Sequence, residues 1–226
     1  MKRTLLLFIS IVLALGASTL GTLAYLTDSD GAVITFTVGK VKISVDETEV
    51  DTNGDAVGNG QRVESNAYHL VPGKSYPKDP TVTVLKGSES AYVRMLVTLT
   101  KYSKLQEISA LGGANFQLEK LLQGLSPNVW ILYGHTEDRE ADSITYEFRY
   151  HQAVDASKAE NDMMLEPFCT NMVMPESITG KELLSIADFQ MVIVGHAIQS
   201  QGFQCESEAW NAFDQQMNNT KGESES

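Results

Sequence analysis

Strict alternation of apolar and polar residues constrains this chain more than any other feature. Ile144, Tyr146, Phe148 and Tyr150 alternate with Thr145, Glu147, Arg149 and His151. Side chains on a strand point to opposite faces in turn, so such a segment buries one face and wets the other. Val93, Met95, Val97 and Leu99 keep the same rhythm, as do Ile34, Phe36 and Val38. Val41, Ile43 and Val45 then take the opposite parity, with the change at Gly39-Lys40. A slip of one residue placed at a glycine predicts a bulge or a corner within one long strand. Thr81 to Leu85 is a short β-branched run, and Phe189 to Ile198 is apolar on both parities, as a strand buried on both faces would be. Asn53-Gly54, Pro72-Gly73, Lys86-Gly87 and Gly112-Gly113 punctuate these runs as chain reversals. The pattern predicts a mainly β fold: a two-sheet antiparallel β-sandwich of jelly-roll type with a few short helices.

The helical signals are few. Leu118, Leu121, Leu122 and Leu125 have helical spacing, and Gly180 to Ala187 has room for one or two turns. Trp210, Phe213 and Met217 recur at i, i+3 and i+7, which predicts a C-terminal amphipathic helix. Residues 218–226 are polar and read as a disordered tail.

The N-terminus has the anatomy of an export signal. Lys2 and Arg3 precede an uncharged apolar run from Leu5 to Ala17, and small residues follow it. Ala24, with Thr22 two positions before it, marks cleavage between Ala24 and Tyr25. The competing reading is an uncleaved anchor, which needs about 20 apolar residues and would have to tolerate Ser18, Thr19 and Thr22. The expected organisation is a signal peptide over 1–24, a secreted β-sandwich domain over 25–217 and the tail over 218–226. The formal charge of −12 repels phosphate backbones and anionic lipids, so nucleic acid is not an expected partner. Membrane contact is expected only through the uncleaved signal peptide. The two cysteines, Cys169 and Cys205, do not make a disulfide framework, and spacing does not say whether they pair.

No motif for catalysis stands out. The histidines, His69, His135, His151 and His196, lie too far apart for the HExxH arrangement of a zinc peptidase. No Gly-x-Ser-x-Gly elbow occurs. The carboxylate clusters Asp46/Glu47/Glu49 and Glu137/Asp138/Glu140/Asp142 read as solvated loops or strand ends. Asp51, Asn53 and Asp55 have the alternate oxygens of a calcium loop, but Ala56 and Arg62 break that pattern, and a hairpin tip at Asn53-Gly54 explains the same residues. No catalytic, cofactor-binding or metal residue is therefore assigned. Trp130 with Tyr133, or Tyr146 with Tyr150, would suit a sugar platform, although aromatics at period two are more often core or cross-strand pairs.

The run from Gly21 to Asp30, followed by Thr35 to Ile43, resembles the N-terminus of the TasA/camelysin family of exported Gram-positive proteins. Leu70 to Val84 with Ser90 to Val97, and Ala197 to Phe203 with Glu208 to Phe213, are similar to later blocks of that family. Lys101 to Ser143 matches none of its patterns. The resemblance implies export through a dedicated signal peptidase, a two-sheet β domain, and a place in the biofilm matrix or at the cell surface. It implies a structural fibre subunit or accessory component that self-associates into filaments and meets matrix or cell-surface partners. The alternatives are a camelysin-like secreted metallopeptidase and a surface carbohydrate- or protein-binding module. The segment expected to carry assembly is Tyr25 to Val45, with Ile34, Phe36 and Val38 as the inserting side chains and Gly39 as the hinge before Val41 to Val45, which stays in the parent domain.

Overall fold

The computed structural model describes residues 33–224 and is mainly β. Its strands are β1 (Val33–Val38), β2 (Ile43–Thr48), β3 (Arg62–Val63), β4 (Ser75–Pro77), β5 (Thr81–Val84), β6 (Ala91–Thr100), β7 (Leu122–Gln123), β8 (Trp130–Asp138), β9 (Ser143–Tyr150), β10 (Met163–Met164), β11 (Asn171–Val173) and β12 (Met191–Gln199). Three short helices, α1 (Tyr102–Leu105), α2 (Leu118–Leu121) and α3 (Gly180–Ser185), precede a long one, α4 (Glu206–Ser224).

The strands form three sheets rather than the two expected. One is five-stranded in the order β1-β12-β6-β9-β8, one four-stranded as β10-β5-β2-β3, and one three-stranded as β4-β11-β7. The third sheet escapes the sequence pattern because β7 and β11 have only two and three residues, too few to show alternation. The pairs are antiparallel except for β1 and β12, which run parallel from Val33↔Ile193 to Val38↔Ile198. Parallel neighbours need a long connection, and almost the whole described chain lies between these two strands.

Alternation decides which faces meet. Val93, Met95, Val97 and Leu99 of β6, Ile144, Tyr146 and Phe148 of β9, and Met191 and Ile193 of β12 point into one core with Ile43 and Val45 of β2. The layers approach closely at Gly195, which lies opposite Met95. A Cβ there would overlap Val45 Cγ2 and sit 3.4 Å from Ile43 Cδ1. Gly195→Ala should therefore destabilise the fold by about 1–3 kcal/mol through overpacking. A denaturant midpoint equal to wild type would show that the layers can part at no cost.

The helices are shorter or longer than the spacing suggests. Leu118 to Leu121 makes a single turn, after which Leu122 pairs with Met172 instead of continuing the helix. α3 begins at a capping box, where the Thr179 hydroxyl accepts from the Glu182 N–H and the Glu182 carboxylate accepts from the Thr179 N–H. α4 runs on through Ser224, past the Met217 end expected from the apolar stripe. Ala209, Trp210 and Phe213 of α4 pack with Ile198 as a cluster separate from the main core. The helix thus covers the outer face of the five-stranded sheet.

Candidate assembly edges

Two strands bound the five-stranded sheet, and they differ in character. β1 lies on one edge, with Ile34, Phe36 and Val38 in register with Val194, His196 and Ile198. The chain leaves β1 through Gly39 at φ +90°, in the left-handed region that glycine enters without strain. A Cβ on Gly39 would lie 2.6 Å from Gln199 Oε1 and 2.8 Å from Gln199 Cβ. The corner is clamped from the other side: Lys40 N–H donates to Gln199 Oε1 at 3.4 Å, Gln199 Nε2 donates to the Glu89 carboxylate, and Lys40 Nζ lies 3.5 Å from that carboxylate. Beyond it, Val41, Ile43 and Val45 turn into the core, and β2 belongs to the four-stranded sheet. The parity change at Gly39-Lys40 is therefore a corner between strands of two sheets, not a bend within one long strand as the sequence suggested, because the chain crosses from one layer to the other there.

β8 is the opposite edge, and among the described residues only β9 pairs with it. Its register against β9 shifts between Leu132 and Gly134. Ile131, Leu132 and Tyr133 are 49%, 50% and 60% exposed, an unusual run of apolar surface for an edge strand. Alongside it opens a cleft of about 590 Å³ whose walls include Phe116, Leu122, Trp130, Leu132, Phe148 and Phe168. Trp130 is anchored in that wall by its indole N–H, which donates to the Glu166 carbonyl at 2.9 Å, and its ring meets Tyr150 edge-on at 5.1 Å. Tyr133 does not join it as a platform, because its ring lies 3.3 Å from the Arg149 guanidinium carbon on the outer face.

That outer face carries a charged network under α4. Arg94 Nε donates to His196 Nδ1 at 3.1 Å, and its two terminal nitrogens grip both oxygens of Asp214. The guanidinium lies 4.5 Å from the Trp210 ring centre and 5.1 Å from that of Phe213. Arg149 donates to Glu147 Oε1 at 2.7 Å, and Arg94 lies 3.6 Å from the same oxygen. Burial first and the neighbouring Arg94 charge second push the His196 imidazole down to about 4, with Asp214 opposing them. The accepting Nδ1 places the neutral ring's proton on Nε2.

Other candidate residues fall as follows. Ala24 and Tyr25, the expected cleavage pair, lie outside the described residues. Asp51 Oδ1 accepts from the N–H groups of Asn53 and Asp55 at 2.8 and 2.9 Å, so this carboxylate shapes its own turn. Among the described residues no three His, Cys, Asp or Glu side chains are grouped to share a metal ion. Cys169 is buried and Cys205 exposed, and both are free thiols. Burial pushes the Cys169 thiol up to about 12.

Glu47 requires a correction. Expected in a solvated cluster, its side chain is only 1% exposed and bonds Lys78 Nζ at 2.7 Å. The signal was present, since Glu47 continues the inward parity of Val41, Ile43 and Val45. Arg94 had no such signal: on an outward parity it looks solvated, and its cover arrives 120 residues later. Among the described residues, no helix is long and apolar enough to cross a membrane. No family model matches the chain, and neither the curated proteins nor the solved structures contain a significant match to it.

Proposed function

We propose that this chain is a secreted structural protein, a TasA-like subunit or accessory component of extracellular matrix fibres, and not an enzyme. In this reading the sandwich is of jelly-roll type, and copies join when the N-terminal strand of one completes the sheet of the next. The observation that supports it is the placement of β1. It is the first described strand, it sits at a sheet edge, among the described residues it pairs only with β12, and it departs through a glycine corner into another sheet. Removing such a strand withdraws nothing from between two others, so exchange requires no rethreading. A head-to-tail exchange of this kind does not close on itself unless the rotation forms a ring, so it grows as a filament.

The test is electron microscopy of the chain lacking its leader, beside a form deleted from Tyr25 to Val38, with circular dichroism to establish that the deleted form is folded. The deletion should abolish filaments, and the missing segment supplied as a peptide should bind and cap them. Filaments from the folded deletion form would sink strand exchange. Casein cleavage that co-purifies with the chain and is lost on chelation would instead favour the peptidase.

A further inference from the structure

The interior of the four-stranded sheet holds an arrangement that neither the assembly reading nor simple packing uses. Glu47 on β2, Asn66 after β3 and Lys78 between β4 and β5 are 1%, 6% and 4% exposed. Lys78 Nζ donates to Glu47 Oε2 at 2.7 Å, while Asn66 Nδ2 donates to Glu47 Oε1 at 3.1 Å. An amine and a side-chain amide are thus held on the two oxygens of one carboxylate. The amide is oriented as well: Nδ2 also donates to the Thr48 carbonyl at 2.8 Å, and Oδ1 accepts the Val50 N–H at 2.9 Å. Apolar and aromatic groups enclose the group, with Lys78 Nζ 5.6 Å from the Tyr68 ring centre. A pocket of about 40 Å³, partly open to solvent, borders it, lined by Asn66, Tyr68, Lys78, Met172 and Phe189 among others.

We propose that Lys78 and Asn66 become joined by an intramolecular isopeptide bond, with Glu47 as the proton carrier. The amine, the carboxamide and the carboxylate that bridges them are all buried together. Glu47 takes a proton from the Lys78 ammonium, leaving a neutral amine as nucleophile. The Nζ lone pair forms a bond to Asn66 Cγ, and the carbonyl π pair moves to Oδ1. There the Val50 N–H donates to the developing negative charge, as an oxyanion hole does. Glu47 then passes its proton to Nδ2 and takes one from Nζ. The Cγ–Nδ2 bond breaks with its electron pair leaving on nitrogen, the Oδ1 pair restores the carbonyl, and ammonia departs. The charges of the ion pair are consumed: the products are a neutral secondary amide, ammonia and a protonated Glu47, with no oxidant or co-reactant. The pocket beside Asn66 and Lys78 is large enough for a molecule of about water's size, so the leaving ammonia has somewhere to go. Burial favours the reaction because it excludes competing water and makes the separated charges costly relative to neutral groups.

Intact-mass spectrometry of the denatured, purified chain tests this directly. The wild type should weigh about 17 Da less than its sequence, the mass of one ammonia. Digestion should yield a branched peptide linking Asn66 to Lys78. Glu47→Gln, which keeps the size but replaces one accepting oxygen with an NH2 group that cannot carry the proton, should restore the full mass and the two separate peptides. A wild-type mass equal to the sequence overturns the bond, as does a deficit that maps to a cyclised asparagine elsewhere. A branched peptide persisting in E47Q overturns the role of Glu47.

Discussion

Trp210→Ala should lower the unfolding free energy by about 3–4 kcal/mol, the cost of deleting a large buried aromatic. Trp210 is 1% exposed and belongs to the small cluster that fastens α4 to the sheet, rather than to the main core. Its indole N–H donates to Glu206 Oε1 at 3.0 Å, its ring meets Phe213 edge-on at 5.6 Å, and one face carries the Arg94 guanidinium. Few other large side chains hold the helix, so neighbours have little means of closing the cavity. Urea titration followed by circular dichroism reports the loss as a shift in midpoint. A midpoint equal to wild type would mean that the helix is not held to the sheet by this residue.

Acid should weaken the fold through His196. Its folded value lies near 4 against an ordinary 6.5, so between these limits the unfolded chain binds the extra proton and the folded chain resists it. The sign follows: this contribution is fully present above pH 6.5 and is lost as pH falls toward 4. The loss amounts to about 3 kcal/mol over that window. Arg94 from β6 touches the ring edge, Phe213 and Asp214 come from α4, and Glu147 from β9 faces Arg94. Acid acts on the carboxylates too, so the informative quantity is the difference from His196→Gln, which accepts a hydrogen bond without titrating in this range. Stability measured at several pH values should fall less steeply in H196Q. Parallel curves would remove His196 from the account.

Most of the longer strands were legible because one physical rule, burial on one face, writes itself at period two; the nine-residue β8, exposed along most of its length, has no such pattern and went unread. β6 and β9 follow from it directly, while at Gly39 it marks where the facing side changes but not that the chain passes into another sheet there. The rule has no purchase on β7, β10 and β11, each only two or three residues long and defined by pairing rather than pattern. The parallel seating of β1 was hidden for a different reason, since alternation fixes which face is buried but not which neighbour lies alongside. The interior site was half legible. Glu47 stood at an inward position and should have demanded a buried cation, but only the fold shows that Lys78 and Asn66 answer it. Arg94 was illegible, because a residue facing water and one facing a helix from far along the chain have the same local pattern.

The seating of β1 also governs how the molecule carries load. Tension applied at its N-terminal end runs along the strand axis while β12 holds the same axis from beside it. The inter-strand bonds are then strained together in shear rather than opened one after another as in a peeling hairpin. Grip from the described strand therefore scales with its six residues, and β2 and the second layer feel the pull only once those bonds give way.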